Sequence, residues 1–336
     1  MMNFNTNPEP IINTRLDEML KSTLPALGID LGGTKIGACL VSNNRLINEP
    51  KQYKTPKGSD NILEQLYKII EEYKVDNLMA GVGIATAGIV DTASGSVIDS
   101  TFNLTGWAGT NIKNYLESKT MLPIYVENDG NAAAYGEFKA KGSIDNLNTI
   151  VITLGTGIGG GIILNGNIFH GSNFAAGEVG HLKINFDNKR LCTCGHFDCW
   201  EAYGSGPGLV QTTKELLNEI TASQSVLYAN KNDLTTTHII KAFENNDLIA
   251  KRAFELWHHH LSVGLVTIAQ ILNPKTFIIS GGMSNFVNYP LLKEMVIDKA
   301  LATVSRDLEI HQSGLGIHAG IIGAGQIALD TILSKS

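Results

Sequence analysis

Cysteine is scarce, four residues in 336, which is too few for a disulfide framework in a chain of this length. A basic excess is absent as well. Lys and Arg total 26 against 32 Asp and Glu, a formal charge of −6, so no field exists to hold a nucleic-acid backbone or an anionic membrane surface, and neither is expected as a partner. Long apolar runs are missing. The stretch Leu261 to Leu272 is broken by Ser262, Gly264, Thr267 and Gln270, and Met1 to Arg15 has no apolar h-region, so a cytoplasmic location is expected. No G-x-x-x-x-G-K-[ST] spacing occurs anywhere, which excludes a P-loop. Charged residues make up only 17% and hydrophobic residues 43%, values that exclude disorder, collagen and coiled coil.

Glycine is plentiful, at 35 residues, and clustered, which points to backbone turns that contact ligands. The first 25 residues show little periodicity beyond a short helical pattern at Arg15 to Lys21 and read as an extension. Ala26 to Asp30 and Ile36 to Val41 are β-favouring runs around Gly32-Gly33-Thr34, and Leu78 to Ile84 is a third. Between them Asp60 to Tyr73 places Ile62, Leu63, Leu66, Ile69, Ile70 and Tyr73 on one helical face, with Ser59 or Asp60 as N-cap. The second half repeats the opening: Ile150 to Leu154 ends in Gly155, and Asn165-Gly166 separates two apolar runs as a hairpin turn does. After Gly206 the pattern is helical to about Asn273, then Thr276 to Ser280 reads as a buried strand entering Gly281-Gly282. An α/β protein of two closely joined domains with a cleft is expected.

Asp30, Gly32, Gly33, Thr34 and Lys35 put a carboxylate at a strand end, then two flexible residues, a hydroxyl and an ammonium. Such a turn can aim N–H groups at a phosphate while Asp30 faces Mg²⁺; an ordinary hairpin turn fits the spacing equally. Gly155, Gly157 and Gly160 form a formal G-x-G-x-x-G, but Gly161 to Gly166 continues as a strand rather than a helix, which excludes an NAD-dependent oxidoreductase. Two strand–turn–strand glycine loops, the second including Thr156, suit nucleotide phosphates, with Gly281 and Gly282 placed to let an adenosine approach backbone. His181 followed by Cys192-x-Cys194-x₄-Cys199 supplies one imidazole and three thiols, a closed set for structural zinc. His196 sits inside the short cysteine loop, where it would be strained as a ligand. His258, His259 and His260 are consecutive on a helix and cannot converge on one ion, and Cys39 reads as core.

Asp30 to Lys35, Glu127-Asn128-Asp129, Glu178-Val179-Gly180-His181 and the segment Cys192 to Glu201 together resemble the ROK family of sugar kinases and related repressors, from about residue 26 to the end. The resemblance implies an actin-like, hexokinase-type ATPase fold: an extension (1–25), a small α/β lobe (26–135), a large α/β lobe with the zinc knuckle (136–310), and a segment (311–336) packing back toward the first lobe. It makes Asp129 the catalytic base, although by position alone Asp129 also reads as the cap of the helical stretch Gly130 to Lys139. It makes Gly88, Asn103, Asn128, Asp129, Glu178, His181 and Glu201 sugar contacts; without it the two glutamates read as surface charges. ATP, Mg²⁺ and structural zinc are the implied cofactors, and a homodimer the implied assembly. The implied activity is phosphorylation of a hexose at its 6-hydroxyl, glucose first, with N-acetylglucosamine, N-acetylmannosamine and fructose as alternatives. The family's repressors carry a DNA-binding domain before the Asp-Leu-Gly-Gly motif, and about 25 residues are too few for one. Two positions depart from the family pattern: Ala87 stands where proline is frequent, and Asp198 where glycine is usual.

Overall fold

The computed structural model describes residues 24–100, 104–141, 147–218 and 224–335; the expected contact Asn103 and nearly all of the expected extension lie outside them. The chain divides into two compact units, one running to Ala140 and resuming at His318, the other from Lys141 to Ile317. The first break falls beyond the expected 135/136 because that point is the middle of a helix.

The first unit contains β1 (Ala26–Leu31), β2 (Lys35–Ser42), β3 (Arg45–Leu46), β4 (Lys51–Lys54), α1 (Ser59–Asp76), β5 (Val82–Thr86), β6 (Ile89–Asp91), β7 (Ser96–Asp99), α2 (Ile112–Thr120), β8 (Ile124–Asn128) and α3 (Asp129–Lys141). Its main sheet runs β3-β2-β1-β5-β8, with β4 also on β2. β1 and β2 are antiparallel, while β1, β5 and β8 are parallel. The expected α1 face is the buried one, Ile62 through Tyr73. Its cap differs: Gly58, at φ +88°, stands at the N-cap with no side-chain bond, and Ser59 is already helical.

The second unit contains β9 (Thr149–Leu154), β10 (Ile158–Leu164), β11 (Asn167–Ile168), α4 (Glu201–Gly204), α5 (Gly206–Leu216), α6 (Thr236–Glu244), α7 (Leu248–Leu272), β12 (Thr276–Ser280), α8 (Tyr289–Lys299), α9 (Ala302–Ser305) and β13 (Glu309–Gln312). Its sheet runs β11-β10-β9-β12-β13. Again an antiparallel hairpin, β9 and β10, leads into parallel β9, β12 and β13. Asn165 and Gly166, at φ +52° and +79°, make the primed turn that matches strand twist. Trp200 and Trp257 are fully buried, and their indole N–H groups donate to the His260 and Gly204 carbonyls. His258 lies buried inside α7 rather than at its surface, accepting the Asn288 amide at 2.8 Å.

The chain ends in α10 (Ala319–Lys335), which packs on β1, β2 and β5 of the first unit. This helix is long and apolar enough to cross a membrane, but its apolar side chains are spent on that sheet, where Ala328 and Ala324 are buried. Glycine in the strands permits the approach: a Cβ on Gly83 would lie 1.8 Å from the Ala324 carbonyl oxygen, so any side chain there forces helix and sheet apart.

Candidate active site

In the first unit, the ends of β1 and β8 carry the acidic residues. Asp30 lies on β1, and its Oδ2 would be 2.8 Å from a Cβ on Gly320 in the first turn of α10. Burial pushes its carboxyl up to about 6, with the Asp129 charge adding to the shift and Lys35 opposing it. In the following turn the Gly32 amide donates to the Lys35 carbonyl and Thr55 bonds the Gly32 and Thr34 carbonyls. Neither Gly32 nor Gly33 takes a positive φ, contrary to the expected use of glycine here. The amides of Gly33 and Thr34 donate to no described residue.

Asp129 opens α3, but the cap is its neighbour: Asn128 Oδ1 accepts the Asn131 amide at 3.0 Å. The Asn128 amide nitrogen donates to the Gly88 carbonyl (2.9 Å) and to Asp129 Oδ1 (3.1 Å). Asn128 is therefore bonded within the protein, aiming Asp129 and tying Gly88, while its Oδ1 keeps a second lone pair. Gly88 takes φ +110°, and a Cβ there would come 2.4 Å from the Asp99 carbonyl oxygen. Asp129 Oδ1 also accepts the Gly130 amide at 2.9 Å, while Oδ2 accepts from no other described residue. The carboxylate keeps a solvent-facing side, yet loss of surrounding water raises its pKa against the pull of the Gly130 and Asn128 donors. Trp107 is fully buried, its indole bonded to Thr86 Oγ1 at 2.9 Å, so it anchors the loop that follows Asn103.

In the second unit, the turn from Gly155 to Gly157 joins β9 to β10. The Gly155 amide donates to the Gly157 carbonyl, and the Gly155 carbonyl accepts the Gly206 amide. The amides of Thr156 and Gly157 donate to no described residue, so this turn, like the first, presents two consecutive free donors. Gly281, at φ +85°, lies against Leu154, whereas Gly282 faces open space.

His181 and the three cysteines converge as expected. One ligand atom from each of His181, Cys192, Cys194 and Cys199 lies within 4.8 Å of all the others; Cys194 and Cys199 Sγ are 3.6 Å apart, and Cys192 Sγ is 3.6 Å from His181 Nδ1. Tetrahedral zinc with bonds of about 2.3 Å sets ligands about 3.8 Å apart, so the four residues fit that ion. His196 is not part of the set. The Lys183 ammonium lies 3.3 Å from Cys199 Sγ, where it would offset the surplus negative charge if three thiolates held a divalent ion.

His181 Nε2 lies 3.7 Å from Glu178 Oε2, and Glu178 is otherwise exposed. Glu201 is more committed: Oε2 accepts the Ile158 amide (3.0 Å) and Oε1 the Thr193 hydroxyl (2.8 Å).

One residue of the knuckle, Arg190, has no mark in the sequence, and a second, Asp198, stands out there only as a departure from the family's glycine. Arg190 is buried, with its guanidinium bidentate on Glu215 (3.1 and 2.6 Å) and bonded to Thr212 and the Ala202 carbonyl. Asp198 sits at φ +59°, and its carboxylate accepts the Tyr203 hydroxyl (2.6 Å) and the Lys189 and Arg190 amides (3.1 and 3.0 Å). The departure from glycine is thus used. Nothing in the composition marks Arg190, because the pair Lys189-Arg190 in a loop reads as surface charge.

Residues 26–331 match the model of the ROK family. A glucokinase of Streptomyces coelicolor is 32% identical over 315 residues, spanning 90% of this chain and 96% of that protein. A xylose repressor of Caldicellulosiruptor bescii is 28% identical over 92% of this chain and 79% of the repressor. Among solved structures, a ROK family glucokinase from Streptomyces griseus in complex with glucose and AMPPNP superposes with a TM-score of 0.68 at 30% identity, covering 91% of this chain and 99% of that one. The duplicated hairpin-and-parallel sheets are those of the actin-like, hexokinase-type fold, and on the family match the chain belongs to the ROK family.

Proposed function

We propose that the protein transfers the γ-phosphoryl group of ATP to the 6-hydroxyl of a hexose, with glucose as the preferred acceptor. The observation that carries this reading is the state of Asp129. One carboxylate oxygen is fixed by Gly130 and Asn128 and the other is left without a described partner, the arrangement of an oriented base rather than of a cap. Its raised pKa brings it closer to working pH.

Phosphoryl transfer passes through a loose transition state, so the protein's work is mainly positioning and charge. Asp129 accepts the proton of the attacking hydroxyl as the new O–P bond forms and the bond to the ADP leaving oxygen breaks. The free amide pairs of the two glycine turns, Gly33 with Thr34 and Thr156 with Gly157, suit phosphate oxygens. Asp30 would hold Mg²⁺, which neutralises charge on the phosphates. Glu178 offers an open carboxylate to sugar hydroxyls, and Glu201 retains lone pairs for one more. With Nδ1 toward Cys192 and Nε2 toward Glu178, His181 would offer Nδ1 to a metal and leave Nε2 for Glu178 and the sugar. Among the described residues, Arg190 is the arginine of the knuckle, and it spends its guanidinium on Glu215 and the α4–α5 backbone rather than offering a clamp for an acidic substrate. A neutral sugar follows.

The resemblance to glucokinases supports glucose over the acetamido sugars and fructose. ADP release measured across glucose, N-acetylglucosamine, N-acetylmannosamine and fructose tests the choice. A clear preference for another sugar overturns glucose and spares the kinase. Sugar binding without ADP release from any of them points instead to a sensing role like that of the repressors.

A further inference from the structure

Thr193 stands between two cysteines of the cluster and is not itself a ligand. Its hydroxyl donates to Glu201 Oε1 at 2.8 Å, and the other oxygen of the same carboxylate accepts the Ile158 amide at 3.0 Å. One carboxylate thus joins the cysteine hairpin to the glycine turn. The approach is tight: a Cβ on Gly157 would lie 2.4 Å from Glu201 Oε2. Thr156, Cys192, Thr193, Glu201 and Ser205 line a single cavity of about 410 Å³, so hairpin, carboxylate and turn share one wall. With Ile158 N–H held by Glu201, the two amides before it, those of Thr156 and Gly157, stay unpaired and available. Thr193 keeps its place because its flanking residues, Cys192 and Cys194, are gathered with Cys199 and His181.

We infer that Thr193 is a positioning residue which, through Glu201, holds the glycine turn in its receptive geometry and so couples nucleotide affinity to metal loading of the cysteine cluster. The inference rests on the reading of residues 155–157 as the phosphate-binding turn. Coupling of this kind is reciprocal, so bound nucleotide also tightens the metal site.

The test uses the full chain as wild type, Thr193→Val and Thr193→Ser, with zinc content fixed by elemental analysis. AMPPNP affinity is measured by calorimetry before and after chelation, and exchange of the Ile158 amide by hydrogen–deuterium methods. Removing a hydroxyl that bonds a charged group corresponds to about a tenfold change. Thr193→Val, still loaded with zinc, is expected to bind AMPPNP about tenfold more weakly and to exchange Ile158 faster, while Thr193→Ser stays within about twofold of wild type. Chelation should weaken wild type about as much as the valine variant and change that variant little further. Wild-type affinity and Ile158 protection in Thr193→Val, or equal sensitivity of both proteins to chelation, overturns the coupling. Failure of zinc-loaded wild type to bind AMPPNP at all overturns the phosphate-turn reading with it, and Ile158 exchange then decides whether Thr193 holds the turn.

Discussion

Replacing Asp198 by glycine restores the residue usual in the family and separates backbone freedom from side-chain bonding. At φ +59° a non-glycine residue carries a penalty of about 1 kcal/mol, which glycine removes. Against this, the Tyr203 hydroxyl and the Lys189 and Arg190 amides lose a shared carboxylate acceptor. Bonds to a charged group contribute about 1.5 kcal/mol each at the low end, so the three together outweigh the relief. The net cost is about 3.5 kcal/mol, or roughly two and a half decades in the local opening equilibrium. Amide exchange across residues 187–199 reads this directly: protection at Lys189 and Arg190 should fall at least about a hundredfold while β9 and β12 are unchanged. Burial pushes the Asp198 carboxyl up, but the bonds from Tyr203, Arg190 and Lys189 outweigh it and hold the group below the ordinary range. A depressed folded pKa gives stability that is present above the unfolded value and lost as pH falls through the folded one. Wild-type protection should therefore carry a decline in acid from protonation of this carboxylate, which the variant lacks; loss of metal in acid is common to both proteins. Knuckle exchange in Asp198→Gly within about threefold of wild type would refute the claim that the carboxylate holds the hairpin.

Cys194→Ser should lose zinc and weaken sugar binding together, because the hairpin that carries Glu201 depends on the cluster; elemental analysis with sugar calorimetry checks both, and intact sugar affinity without zinc would contradict it. Asp30 has a folded pKa raised to about 6 by burial and the Asp129 charge, so its ionised form costs stability as pH rises through that range. Affinity for Mg²⁺ and nucleotide should fall as pH drops below about 6, and Asp30→Asn should weaken that dependence in calorimetric titrations, leaving the part that belongs to the nucleotide phosphate. Gly157→Ala places a Cβ against Glu201 Oε2 and should lower nucleotide affinity at least about tenfold with folding preserved.

The elements were largely legible because periodicity alone sets them. The α1 face from Ile62 to Tyr73 and the strand Thr276 to Ser280 lie where the pattern places them, and the cysteine spacing sufficed to find the four residues that converge. What stayed hidden depends on contacts between residues distant in sequence. Gly83 falls within a β-favouring run in the sequence, and only the fold shows the Ala324 carbonyl that its missing side chain admits. Asn128 offers a free amide in the sequence, and only the fold shows it consumed by Asn131, Gly88 and Asp129. Arg190 reads as a surface charge because burial of a charged side chain depends on a partner, and Glu215 lies 25 residues further along the chain; Asp198 is marked in the sequence only as a departure from glycine, and the fold supplies its bonds from Tyr203, Lys189 and Arg190.

The central claim is that an oriented Asp129 takes the proton of a sugar hydroxyl during transfer from ATP. The most direct measurement is steady-state release of ADP from ATP and Mg²⁺ with glucose, alongside detection of the 6-phosphorylated product, in wild type and Asp129→Asn. Glucose-dependent ADP release is expected from wild type, with kcat lowered about 10²-fold or more in the variant while glucose and nucleotide still bind. Equal kcat in the two proteins, or no phosphorylated sugar from wild type, would contradict it.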